Sequence, residues 1–122
     1  MQKKKGSNCP YTRDLFGDLI IPLELNHVCY SIVPNLKNIS SVCLTGYFDC
    51  ARGNIKRVKA MQKILDSLNI SVTENWNNNI DLLIVGDRAK MVSLKIKNAV
   101  RLGIPIIKEN DLLENVRFFK YD

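Results

Sequence analysis

From residue 41 onward, short apolar runs alternate with stretches of three- and four-residue periodicity, and that alternation predicts an α/β fold. Ser41 to Thr45 reads as a short buried strand, stopped by Gly46. After a loop through Gly53, residues Ile55, Val58, Met61, Ile64, Leu65 and Leu68 recur on one face of an amphipathic helix. Lys56, Arg57, Lys59 and Lys63 fall off that face. Ile70 to Thr73 is a second strand. Asp81 to Val85 is a third, apolar almost throughout and ended by Gly86, as expected of a strand covered on both faces. Val92, Ile96, Ala99 and Val100 mark a second helix, closed at Leu102-Gly103, where glycine suits a left-handed C-terminal cap. Ile104 to Ile107 is a fourth strand, and Pro105 places its start or a sheet edge there. Leu112, Leu113, Val116 and Phe119 predict a last helix with Asn110 as N-cap.

The order β-α-β-β-α-β-α implies a parallel four-stranded sheet with helices on both sides. Right-handed crossovers put the second strand on one side of the first and the third on the other, giving the order 2-1-3-4. A switch point then falls beside Thr45-Gly46 and Gly86, where such sheets bind ligands. Before residue 40 the pattern fades. Leu19 to Leu25 and Val28 to Val33 could be extended segments, but Pro22 and Pro34 argue against long central strands. The chain therefore divides into a basic tail and appendage over 1–39, packed on an α/β domain over 40–122.

Composition narrows the function. The 122 residues, 46% hydrophobic and 25% charged, suit one globular domain. No apolar run reaches the roughly 18 residues of a membrane span, and Lys3 to Lys5 lead into no signal-peptide core. The expected setting is inside the cell, away from membranes. Cys9, Cys29, Cys43 and Cys50 form no C-x-x-C pair, and the lone His27 completes no metal site with them. Reduced thiols and no metal are the expectation. There is no Walker loop, no G-x-G-x-x-G spacing and no credible nucleophile–His–acid set, so neither catalysis nor a cofactor is expected. The net charge of +6 divides as +2 over residues 1–39 and +4 over 40–122, which favours phosphate-bearing partners.

Over residues 40–118 an ordered set of pieces resembles the BRCT domain family. These are Val42-Cys-Leu-Thr-Gly46, Asp81-Leu-Leu-Ile-Val-Gly86, Lys95, and Leu102-Gly-Ile-Pro-Ile-Ile-Lys-Glu109 followed by Leu112-Leu113. The likeness is closest to the BRCT domains of bacterial NAD-dependent DNA ligases and of the large subunit of replication factor C. It implies two helices on one sheet face, one on the other, and a role in DNA replication or repair. It also implies a phosphate pocket at Thr45, Gly46 and Lys95, in which a hydroxyl and a backbone N–H donate hydrogen bonds and an ammonium adds charge.

DNA-binding relatives add an arginine at the start of the first helix. The loop after Gly46 is about five residues longer here, so Arg52, Lys56 and Arg57 are all candidates. Leu68-Asn69 replaces the family's Gly-Gly turn. The tryptophan of the last helix in eukaryotic members is absent, with Val116 or Phe119 in its place. Arg88, Lys90, Lys97 and Arg101 surround the second helix and with Lys95 could track a phosphate backbone. Trp76 either stacks on a base or plugs the sheet. Two readings follow. One is a module that binds duplex DNA at a 5′-phosphorylated end or nick. The other is a protein-interaction module, with or without phosphoserine recognition, that tethers a ligase, polymerase or other repair enzyme. A small-ligand-binding domain of flavodoxin-like type is a distant third.

Overall fold

A sheet that is apolar on both faces must be covered on both, and that requirement shapes this chain. The computed structural model describes residues 21–51 and 55–121. Strands β1 (Ser41–Thr45), β2 (Ser71–Thr73), β3 (Leu82–Val85) and β4 (Ile106–Lys108) form one parallel sheet in the order β2-β1-β3-β4. The register sets Val42 beside Val72 and Leu82, and Val85 between Thr45 and Lys108. The helices are α1 (Arg57–Leu65), which runs on into a 3-10 turn at Asp66–Leu68, α2 (Leu94–Leu102) and α3 (Glu109–Tyr121).

Alternation along the strands divides the core into two layers. Val42, Leu44, Leu82, Ile84 and Ile107 face Met61 and Leu65 of α1 and Leu112 and Val116 of α3. Cys43, Leu83, Val85 and Ile106 face Ile96, Ala99 and Val100 of α2. Trp76 packs against this second layer, so it plugs the sheet margin. The side chain of Phe119 lies outside the described ones.

Several boundaries differ from the sequence reading. Because α1 begins at Arg57, Ile55 precedes the helix and is 56% exposed. Because α3 begins at Glu109, Asn110 lies inside it, and its N–H is taken by the Asp87 carboxylate at 3.2 Å. Pro105 sits just before β4, where its carbonyl accepts Leu83 N–H. Two helix ends depend on left-handed residues: Gly103 (φ 71°) after α2, as expected, and Asn69 (φ 59°) after the 3-10 turn. Asparagine tolerates that conformation better than most residues, so Leu68-Asn69 turns the chain without glycine.

Residues 21–39 pack on the domain, while the first twenty lie outside the described residues. The described part runs through a 3-10 turn at Leu25–His27, a stretch over 28–33 that belongs to no strand and is entered at an extended Val28, and a second 3-10 turn at Leu36–Asn38; Leu19 and Ile20 lie outside the described residues. Val28 is buried in the α2 layer and Leu36 in the α1/α3 layer, so this segment straddles the β4 edge. In passing, Ser31 N–H donates to the outward Ile106 carbonyl at 2.8 Å. The opposite edge is closed by a side chain. Gln62 of α1 donates to Ile70 O at 2.9 Å and accepts from Val72 N–H at 2.9 Å. The side-chain amide sets an N–H donor beside a carbonyl acceptor, so it pairs with the outer face of β2 as a neighbouring strand would.

The thiols need one correction. Cys29 is disulfide-bonded, whereas Cys43 and Cys50 are free. No helix among the described residues is long and apolar enough to cross a membrane.

Replacing Gln62 by leucine keeps the bulk but leaves Ile70 O and Val72 N–H without their partner. An unfolding free energy lower by about 1–3 kcal/mol is expected in urea titrations. A change below about 0.5 kcal/mol would show that the β2 edge does not depend on this clasp.

Candidate functional site at the carboxyl edge of the sheet

The β1–β2 and β3–β4 crossovers each leave a strand at its carboxyl end and return through a helix, so the N-termini of α1 and α2 gather beside Thr45 and Gly46. Their N-terminal dipole ends make this edge favourable to anions. Gly46 has φ +80°, and a Cβ there would lie 2.5 Å from Ala89 Cβ. Only glycine satisfies both the turn and that approach.

Two hydroxyls and two cations from separate parts of the chain meet here. Thr45 is 3% exposed, and its Oγ1 lies 2.6 Å from the Ser93 hydroxyl. Ser93 is the N-cap of α2, accepting Ile96 N–H at 3.3 Å. The Lys95 ammonium donates to Leu44 O at 2.8 Å, one residue before Thr45. Thr45 O is directed at Gly86 N–H just past β3, so the carbonyl of Leu44 points to the other side, where β2 has already ended. Lys95 fills that gap. Arg57, the first residue of α1, donates from Nη1 to Gly46 O at 2.6 Å and from Nε to Glu74 at 2.7 Å.

Of the three arginine and lysine candidates for the helix-one position, Arg57 reaches the Gly46 turn. Lys56 is the exposed N-cap residue of α1, and Arg52 lies outside the described residues. Arg88 and Lys90, both exposed, follow the β3 exit. Arg88 lines a shallow cleft of about 420 Å³ with Gly46, Tyr47 and Arg57. It lines another of about 410 Å³ with Tyr47 and Lys90.

The electrostatics agree with this grouping. The Glu74 carboxyl is held below its ordinary range, first by its hydrogen bond from Arg57 and further by the charges of Arg57, Lys95 and Lys56, with desolvation opposing. Burial raises the Cys43 thiol, and the charges of Lys95 and Arg57 oppose that rise. The cluster thus already holds one carboxylate of its own.

The β3–β4 side of the same edge is acidic and has a structural role that the sequence did not reveal. Glu109 is fully buried at the start of α3. Its carboxylate accepts backbone N–H groups from Asp49 at 2.8 Å, Cys50 at 2.7 Å and Asp87 at 3.0 Å. The long loop after Gly46 is thereby tied to the β3 exit and to α3. The Asp87 carboxyl is raised chiefly by burial, with Glu109, Asp49 and Asp111 adding to the rise and the Asn110 N–H opposing it. Among the described residues no three His, Cys, Asp or Glu side chains are grouped to hold a metal ion. Ser93 also went unread, although a serine ahead of Leu94 and Ile96 is a recognisable N-cap signal. Nothing local marks Glu109, because its partners lie up to 60 residues away.

Glu109→Gln can keep only one oxygen, so at least one of the three backbone amides faces an NH2 group. The expected cost is about 1–3 kcal/mol in denaturant unfolding. The thiols offer a second check. Burial and the hydrogen bond to Glu109 push the Cys50 thiol up to about 12, and the Cys43 thiol is also raised. Alkylation at pH 8 should be slow at both in the folded protein and fast in urea, because the thiolate is the nucleophile. Fast labelling of the folded protein would contradict this environment. No protein-family model matches the chain, and no curated protein does so, which leaves the site to be judged on its own geometry.

Proposed function

We propose that this chain is a non-catalytic BRCT-like module of DNA replication or repair that binds duplex DNA at 5′-phosphorylated ends or nicks. The gathering of Thr45, Lys95 and Arg57 about the carboxyl end of β1, where Lys95 bonds Leu44 O and Arg57 bonds Gly46 O, supports this reading. A terminal phosphate carries more charge than the Glu74 carboxylate and offers oxygens in several directions. It would draw Arg57 and Lys95 from their present acceptors and take hydrogen bonds from both. Arg88 and Lys90 would then run along the adjoining backbone without reading bases. The working compartment would be the bacterial cytoplasm, or the nucleus in a eukaryote.

A second reading, a protein-tethering module, is favoured by one feature of α1. Cys50, Ile55, Ala60 and Ile64 line a groove of about 580 Å³ with Lys56, Lys59 and Lys63. An apolar peptide flanked by acidic residues would fit it.

Titrations on matched duplexes with and without a 5′ phosphate separate the two. Affinity should fall steeply with salt, since lysine and arginine release counterions from the backbone. Lys95→Ala should remove the preference for the phosphate, a loss on the order of 1.5–3 kcal/mol or roughly ten- to hundredfold. Arg57→Ala should do the same, while Lys63→Ala, off the site, should cost much less. Equal binding to both duplexes, with Lys95→Ala and Lys63→Ala indistinguishable, would favour the protein-tethering reading. No binding even at low salt would do so more firmly.

A further inference from the structure

Tyr47 is a large aromatic side chain that the core does not use. Its residue is 69% exposed, although it directly follows the Thr45-Gly46 turn and directly precedes Phe48, which is buried. The backbone beneath the ring is fixed. Tyr47 O accepts Arg88 N–H at 2.9 Å. Gly86 approaches so closely that a Cβ there would lie 2.1 Å from that same carbonyl oxygen and 2.7 Å from Phe48 Cδ1. A rigid backbone thus presents an exposed aromatic ring to solvent. Burying such a ring against a flat partner is favourable, and little chain entropy remains to be lost.

The surroundings specify the partner. The two clefts of about 420 and 410 Å³ share Tyr47 and Arg88. The first adds Arg57 and the second Lys90, and among the described residues no carboxylate lines either. Cation, ring and cation therefore follow one another across this surface. A nucleic-acid strand has the matching composition, with a negative phosphate on each side of a flat, apolar base. Thr45 lies two residues away, on the order of 7 Å of chain, a span comparable with one nucleotide.

We infer that Tyr47 is a stacking surface for the base of the terminal nucleotide, and that the ligand is a DNA end whose last base is accessible, as in a 5′-phosphorylated overhang. This rests on the DNA-end reading given above and sharpens it. The phosphate supplies the charge recognised at Gly46, and the base supplies the face that covers Tyr47.

The test uses fluorescence anisotropy with a duplex carrying a 5′-phosphorylated single-stranded overhang, whose terminal nucleotide is either normal or abasic. The wild-type chain and Tyr47→Phe should bind the base-bearing end about ten- to hundredfold more tightly than the abasic one. Tyr47→Ala should bind both alike, while still preferring the 5′ phosphate. Because Tyr47 is exposed, unfolding curves of all three proteins should coincide. A Tyr47→Ala variant that loses equally on both ends, or loses nothing, overturns the stacking role. If the wild-type chain ignores the phosphate but Tyr47→Ala alone loses base dependence, the phosphate pocket falls and the stacking surface stands. If no overhang binds at low salt, both fall.

Discussion

The buried carboxylate of Glu109 is the constraint on which the functional edge depends. A charge taken out of water needs full hydrogen bonding, and here three backbone N–H groups supply it. Those amides belong to the long loop after β1 and to the exit of β3, so one side chain fixes two connections at once. The loop in turn carries Gly46 and Tyr47, and its Phe48 is buried against the α1/α3 layer. The same residue begins α3, whose next N–H is taken by Asp87. Replacing such an acid removes the organising centre of a surface that it never reaches.

The rest of the molecule closes what this edge leaves open. Helices cover both faces of the sheet. Gln62 occupies the outer side of β2, and the segment around Ser31 occupies the outer side of β4. At the amino end of β1, Asp81 accepts the N–H groups of Ser40 and Ser41 at 2.9 and 3.1 Å. Even Lys95 serves this bookkeeping of backbone groups, since it satisfies the Leu44 carbonyl where β2 stops. Lys95, offered as a ligand contact, thus also replaces a missing strand partner, and a ligand would compete with the acceptors that Lys95 and Arg57 already hold.

Apolar periodicity made the sheet order and both helix faces legible, because packing on a two-sided sheet imposes periods that a sequence must display. Boundaries drifted by one to three residues where polar partners set them. Ile55 has the spacing of a helical residue but precedes the first turn, and Asn110 looks like a cap although Glu109 comes first. In the site, Thr45, Gly46 and Lys95 were nameable from short local strings, and of the candidates for the helix-one position geometry separates Arg57 from Lys56, with Arg52 outside the described residues. Gln62, Asp81 and Glu109 were not readable. Their roles are set by partners met in the folded state, and a single polar residue at the right place carries no period. The bonded state of Cys29 escaped for a similar reason.

The division of the carboxyl edge into a cationic side and an acidic side has a dynamic consequence. Arg57 and Lys95 gather about Glu74, whereas Asp49, Asp87 and Asp111 gather about Glu109 with Lys108 beside them, so charge is unevenly spread across this end of the molecule. A polyanion drifting toward it would feel a torque as well as a pull. It would rotate away from the α3 side before touching anything, within a distance of about 10 Å set by ionic screening. Encounters would then arrive pre-aligned along one azimuth, and the fraction that are productive would depend on ionic strength even where the final contacts do not.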